Sequence, residues 1–288
     1  MTKPSSLIEP LIALPAGVFR ALALTRRAAY DRGFLRTIDV GVPVISIGNI
    51  TAGGTGKTPL TAMVVDDLKK RGISSAIVSR GYGGTETGPI RVGSGGQRDV
   101  ARRFGDEPAW LAARDPDTPV FIGADRVAAA LMAIRDVQPK VIVADDAFQH
   151  RRLHRSMDVV VLDSTQPTWH YRPLPLGRAR EDLSSMRRAQ SVFITKINLA
   201  PVEQLTWLRK TIGAFRERTG FSVFEFESAI AGYYPLEKGP ACLESQSDLR
   251  KARVLLVSGI GRPHTFEELV RKSGADIAEH MIFRDHHS

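Results

Sequence analysis

The stretch from Val42 to Gly72 constrains the fold of this chain more than any other. Val42-Pro43-Val44-Ile45-Ser46-Ile47 has the apolar, β-branched character of a short buried strand. Gly48-Asn49-Ile50-Thr51-Ala52-Gly53-Gly54-Thr55-Gly56-Lys57-Thr58 follows, and then Leu60, Met63, Val64 and Leu68 repeat at the spacing of one helix face that ends near Gly72. Strand, glycine-rich loop and helix together make the context in which backbone N–H groups wrap phosphates and the helix N-terminus adds partial positive charge. Thr51, Ala52, Gly53, Gly54, Thr55, Gly56, Lys57 and Thr58 are therefore the expected nucleotide-binding residues. Lys57 would reach the β- and γ-phosphates, and Thr58 would offer its hydroxyl to Mg2+. Thr51 stands where the usual pattern begins with glycine; the glycines at 48, 53, 54 and 56 are available to compensate. The competing reading of the same residues is a glycine-rich turn that binds nothing.

A phosphate loop needs an acidic partner at the end of a neighbouring strand, and Val141-Ile142-Val143-Ala144-Asp145-Asp146 supplies one. Adjacent carboxylates at the carboxyl end of a buried parallel strand are costly unless a cation neutralises them. At least one of Asp145 and Asp146 is expected to serve Mg2+, and successive strand residues point to opposite faces, so equal roles are not expected. Apolar runs near residues 44, 77, 121, 142, 160 and 193 alternate with helical patterns. That alternation predicts a three-layer α/β core with a mainly parallel sheet. After Asn198 the pattern restarts, with a helix over 205–215, strands over 221–226 and 254–257 and a helix over 266–271. The expected organisation is an N-terminal helical region over 1–36, a phosphate-loop core over 37–198 and a smaller C-terminal α/β domain over 199–288.

Ahead of the core, Leu7, Leu11, Leu14, Val18 and Leu22 recur at helical spacing, with Arg20, Arg26, Arg27, Arg32 and Arg36 on or behind them. Glu9, Pro10, Pro15 and Arg20 break the run too often for a membrane span, which needs roughly 20 apolar residues. Most of the charge follows the apolar run, whereas a signal peptide carries it in front. Two readings remain: an amphipathic helix lying in an anionic lipid interface, or one packed on the protein's own core. The chain carries 40 Lys and Arg against 31 Asp and Glu, a net charge of +9 that suits anionic partners. Nucleic acid is not expected among them, because aromatics are only 7% and no stretch alternates basic with aromatic residues. The single cysteine, Cys242, excludes a disulfide framework and any multi-cysteine metal site.

Beyond the loop and the acidic strand, further segments recur in a recognisable order. They are Ser79-Arg80-Gly81-Tyr82-Gly83-Gly84, Gly105-Asp106-Glu107-Pro108, Gly123-Ala124-Asp125-Arg126 and Asp145-Asp146-Ala147-Phe148-Gln149-His150, then Gly259-Ile260-Gly261-Arg262-Pro263 and Asp285-His286-His287. With Ser46 through Pro59, this series resembles the tetraacyldisaccharide 4'-kinase family, and the resemblance spans nearly the whole chain. It implies a lipid kinase that uses ATP and Mg2+ to phosphorylate the 4'-hydroxyl of a tetraacylated glucosamine disaccharide 1-phosphate, giving lipid IVA in lipid A biosynthesis. It also implies a peripheral or monotopic enzyme at the cytoplasmic face of the bacterial inner membrane, with the N-terminal helix engaging the lipid.

From the residues alone, Asp106 reads as a helix N-cap. The resemblance makes it the base and pairs it with His286, and it gives Arg126 a phosphate contact. Arg80 is expected near the active site, and Gln149 and His150 as orienting residues. His287 reads as a solvated neighbour. Two segments depart from the family pattern: Ala147 replaces a usual glycine, and Leu174-Pro175-Leu176-Gly177-Arg178-Ala179-Arg180-Glu181 follows the family's proline-glycine-arginine segment only loosely. Family members continue past the point matching Ser288, so a fragment is expected. The rival from another class is a GTP-dependent regulator or metallochaperone on a similar core, in which Thr195-Lys196-Ile197-Asn198 would contact the base. A plain strand-to-loop exit explains that tetrapeptide equally well.

Overall fold

A computed structural model describes residues 9–93, 96–233 and 249–283. Its centre is an eight-stranded sheet in the order β3-β4-β2-β5-β1-β6-β7-β8. The strands are β1 (Val44–Gly48), β2 (Ser75–Ser79), β3 (Ile90–Arg91), β4 (Val120–Ile122), β5 (Val141–Asp145), β6 (Met157–Asp163), β7 (Ser191–Thr195) and β8 (Ser222–Phe226). All pairings are parallel except β3 with β4. The central strands β1, β2, β4, β5 and β6 are buried on both faces, so they are apolar runs rather than alternating ones, while the edge strands β3 and β8 are largely exposed.

The pleat sends successive residues to opposite layers. Ile47, Ile77, Val143 and Val159 pack under α2 (Lys57–Lys70), α3 (Gln97–Phe104) and α4 (Asp106–Arg114). Val44, Ala76, Val78 and Ile142 meet α5 (Arg126–Val137) on the other face. The three-layer expectation thus follows from burial on both sides. Because the strands run parallel, the loops after β1, β2, β5, β6 and β7 gather at one edge, where ligands bind in such sheets.

The boundary expected at Asn198 moves. α6 (Val202–Thr219) and β8 complete the main sheet: Ser191–Thr195 pairs with Ser222–Phe226, and Leu208, Ile212 and Phe221 join the cluster around Val160 and Val192. The apparent restart is one more helix and strand of the same right-handed winding. A separate small unit begins later, with β9 (Arg253–Ser258), α7 (Pro263–Lys272) and β10 (Asp276–Ile282). Its two strands form their own parallel sheet, closed by Leu256, Val270 and Ala275.

Before the core runs α1 (Glu9–Asp31), in which Ala16 is the one buried residue. Its polar side is fastened to the core: Glu9 to Arg172 at 2.6 Å, Arg26 to the Gln149 carbonyl at 3.0 Å and Asp31 to Arg151 at 2.7 Å. Leu11, Leu14, Val18 and Leu22 face solvent, with Leu14 77% exposed. Among the described residues, these four therefore do not pack on the protein's own core, and Leu7 lies outside those residues. No described helix is long and apolar enough to cross a membrane.

Candidate active site

The loop after β1 is shaped by its ends. Gly56 holds φ +88°, a conformation other residues avoid, and turns the chain into α2. No side chain caps that helix start, so its first N–H groups face the loop. Asn49, fully buried, organises the interior: its Nδ2 donates to Thr55 Oγ1 at 2.9 Å and to the Gly53 carbonyl at 3.4 Å. Gln149 Nε2 donates to the Asn49 carbonyl at 2.8 Å. Thr51, in place of the usual glycine, turns inward and donates to Gln166 Oε1 at 2.9 Å. The Ala52 N–H is given to the Arg178 carbonyl at 2.7 Å. The front of the loop is thus stapled to the 166–179 segment, while Gly53 to Thr58 form the open cradle.

Lys57 is 7% exposed and lies 3.7 Å from Asp146 Oδ1. Asp146 sits at φ +46° just past β5 and also pairs with Arg180, at 3.0 and 3.2 Å. Burial pushes the Asp146 carboxyl up, but Lys57 and Arg180 outweigh it and hold it down at about 2. Asp145 differs: it is fully buried, its Oδ1 accepts from Thr61 at 2.9 Å, and its Oδ2 has no partner among the described residues. Burial first, and then the nearby Glu107 charge, push it up to about 7. The two aspartates are therefore not equivalent, as their alternation along the chain requires.

Arg126 is 4% exposed and begins α5. Its Nη1 donates to the Gly123 and Ala124 carbonyls at 3.1 and 3.3 Å, and its Nε is buried without a partner among the described residues. Burial lowers it to about 10, Asp146 and Asp145 oppose that, and Arg80 adds to it. Arg80 and Glu107 thus reach the same centre electrostatically.

Asp106 starts α4 beside Glu107. The reason Gly105 precedes it is steric: a Cβ there would sit 2.4 Å from the Tyr82 carbonyl, so the Arg80–Gly84 loop and the start of α4 close on each other through glycine. His286 lies outside the described residues, as do Asp285, His287 and Cys242. His150 is lowered to about 4 by burial and then by Arg126, and so is neutral at pH 7.

Asn49 and Arg180 were not visible as site residues in the sequence. Arg180 is the link between them, since its Nη2 also donates to Asn49 Oδ1. Its signal was the loosely matching proline-glycine-arginine stretch, which the Thr51–Ala179 bridge brings beside the loop. Asn198 gives a different outcome: its side chain bonds both ways to the Ser228 backbone, at 2.8 and 2.9 Å. That is the bonding of a strand-to-loop exit, not of a free base-reading amide.

A hard cation fits this donor set. No group of three or more His, Cys, Asp or Glu among the described residues could cage a metal. Mg2+, however, is commonly held by one or two carboxylates together with substrate phosphates and water. Asp145, with one buried carboxylate oxygen that has no partner among the described residues, stands at the strand end facing the phosphate cradle, and Thr58 follows Lys57 at the helix start as the candidate hydroxyl donor.

Comparison with known proteins agrees with the geometry. The family model for tetraacyldisaccharide-1-P 4'-kinase matches residues 8–288. The tetraacyldisaccharide 4'-kinase of Anaeromyxobacter sp. strain Fw109-5 is 40% identical over 98% of this chain and 74% of its own length. That of Bdellovibrio bacteriovorus is 36% identical over 90% of this chain and 74% of its own length. A crystal structure of LpxK from Aquifex aeolicus in complex with ATP superimposes with a TM-score of 0.77 at 28% identity, covering 97% of this chain and 83% of that one. With the phosphate cradle and the acidic strand end on one sheet edge and the family model matched over nearly the whole sequence, the chain belongs to the tetraacyldisaccharide 4'-kinase family.

Proposed function

We propose that this protein transfers the γ-phosphate of ATP to the 4'-hydroxyl of a tetraacylated glucosamine disaccharide 1-phosphate. The observation that carries the reading is the uncapped Gly56-Lys57-Thr58 helix start with Lys57 against the Asp145-Asp146 strand end, where Asp145 Oδ2 is buried without a hydrogen-bond partner among the described residues. Lys57 neutralises charge on the β- and γ-phosphates, the backbone of Gly53 to Gly56 cradles them, and Arg126 contributes a fixed guanidinium. Thr58 and Asp145 would hold Mg2+, which supplies charge neutralisation between the β- and γ-phosphates when bound. Asp146 is the anchor that sets Lys57 and Arg180.

The acceptor hydroxyl oxygen forms the new bond to the γ-phosphorus as the bond to the β,γ-bridging oxygen breaks and ADP departs. In this reading the hydroxyl proton passes to Asp106, and His286 holds that carboxylate; their pairing rests on the family resemblance. The exposed stripe Leu11, Leu14, Val18 and Leu22 is the surface that would meet the lipid, with the enzyme peripheral at the cytoplasmic face of the inner membrane.

The direct test is transfer of labelled phosphate from ATP to the tetraacyl disaccharide 1-phosphate in detergent micelles containing Mg2+. ATP-dependent appearance of the 4'-phosphorylated lipid is the expected result. Nucleotide binding with no transfer, together with preference for GTP, would overturn the assignment.

A further inference from the structure

Asp163 ends β6 with its side chain fully buried. Its Oδ2 meets Lys196 Nζ at 2.7 Å, and its Oδ1 accepts from the Thr165 backbone N–H at 2.9 Å and the Thr165 hydroxyl at 2.6 Å. A buried carboxylate needs one cation and filled lone pairs, and these groups provide both. A second cation is nonetheless present. Arg262, from the turn between β9 and α7, places Nε 3.7 Å from Asp163 Oδ2. Its Nη1 donates to the Thr165 carbonyl at 2.8 Å and to Thr165 Oγ1 at 2.7 Å. Since Lys196 already balances the charge, Arg262 is in surplus as a counter-ion. What it adds is attachment.

Both ends of that attachment are rigid. On one side, the turn bearing Arg262 is braced by a relay across its flanks. Ser258 Oγ lies 2.8 Å from His280 Nε2, and His280 Nδ1 lies 3.1 Å from Glu267 Oε2. With Nδ1–H donating to the Glu267 carboxylate, Nε2 accepts from the serine hydroxyl. On the other side, the 163–166 segment is wired to both halves of the phosphate loop. Gln166 accepts from Thr51 at 2.9 Å. Ser164 Oγ donates to the Thr195 carbonyl at 2.7 Å, and Thr195 Oγ1 donates to the Thr55 carbonyl at 3.1 Å. Thr51 and Thr55 bracket the glycines that approach phosphate.

We propose that Arg262 is a positioning residue for phosphotransfer, fastening the β9–α7 turn to the Asp163–Gln166 segment and through it setting the phosphate loop. The proposal rests on the reading that this loop holds ATP. Residues 163–166 act as the junction, so the placement of the C-terminal unit and the shape of the nucleotide cradle are coupled through one guanidinium. The Thr51–Gln166 bond, made possible by the threonine that replaces glycine, is the strut by which the coupling reaches the front of the loop.

The test compares wild type, Arg262→Ala and Arg262→Lys for KM of ATP, KM of the disaccharide, kcat and melting midpoint, with and without added guanidinium. In Arg262→Ala, the KM for ATP rises roughly ten- to a hundredfold, the KM for the disaccharide stays put, and guanidinium restores part of the loss while leaving wild type unaffected. Arg262→Lys, which keeps the charge but not the fork to Thr165, falls between. An unchanged KM for ATP overturns the proposal. So does a loss that follows the melting midpoint and ignores guanidinium. Should the alanine variant fail to fold, the lysine variant decides alone, and an unaltered KM for ATP in it overturns the proposal. A wild-type chain that neither binds ATP nor transfers phosphate brings down the kinase reading with it; normal wild-type turnover alongside unaffected variants brings down this proposal only.

Discussion

Three side chains carry most of the chemistry, and each yields a separate prediction. Lys57 is the one cationic residue of the Thr51–Thr58 sequence, so Lys57→Ala should take turnover below detection in the micelle assay while the melting midpoint holds. Arg180 ties Asp146 to Asn49, the one joining the acidic strand and the other the loop interior. Arg180→Ala should lower kcat/KM roughly ten- to a hundredfold, the usual cost of removing a group that orients a binding residue.

Asp145 gives a pH signature. Its carboxyl is pushed from 3.8 up to about 7 by burial and Glu107. Between those values the native state keeps a proton that the unfolded chain has released, so this group makes stability fall as pH rises through that window. Asp145→Asn removes the effect. His150 and His170, both lowered to about 4 chiefly by burial, slope the opposite way in both proteins and cancel in the difference. In chelator and without nucleotide, the asparagine variant should therefore gain on wild type in melting midpoint between about pH 4 and about pH 7. Equal pH slopes in the two proteins would show that Asp145 is ionised in the native state throughout.

At the scale of elements, legibility followed local physics. The β1–loop–α2 unit could be read because a buried strand, glycines and a helix face each leave a local mark. The same holds for β5 and its terminal aspartates. α3 leaves only a short mark: its Gln97–Phe104 sequence is mostly polar, with Val100 and Phe104 four residues apart as its apolar side, and these two join a hydrophobic cluster supplied by other segments. β8 was read as a strand, but its place beside β7 is a long-range fact that no spacing encodes. Arg180 escaped for the same reason, being one arginine among many until the chain brought it to Asp146. α1 is the reverse case, since its stripe was plain in the sequence and only the structure shows it facing out. A leucine fully buried in lipid is worth about 1.5–3 kcal/mol. Replacing Leu14 and Leu22 with serine should then weaken binding to anionic vesicles by about two to four orders of magnitude if both are fully buried in lipid. The melting midpoint should scarcely change, because neither residue touches the core. A variant that binds vesicles as tightly as wild type would move the lipid contact elsewhere.

Across the whole molecule, the phosphate loop is the meeting point of elements far apart in sequence: β1 and α2 form it, the 166–179 segment staples its front, β7 supports its back, and the small β9–α7–β10 unit leans on the same junction. The native state is thus assembled around a cradle for anions with uncapped N–H groups, one buried lysine and one uncompensated carboxylate oxygen. A ligand that binds the native state and not the unfolded chain stabilises by mass action, so nucleotide binding should be felt as global stability. At a hundredfold excess over Kd, ATP with Mg2+ adds about 2.7 kcal/mol. At about 2–4 °C per kcal/mol for a protein approaching this size, that is a rise of roughly 5–10 °C in Tm. The same ATP in chelator should give much less, and so should Mg2+ with Asp145→Asn. GTP with Mg2+ separates the classes: Asn198 is committed to Ser228, leaving no amide to read a guanine at that loop. GTP should therefore stabilise less than ATP at equal concentration, and an equal or larger rise with GTP would return the regulator reading to the front.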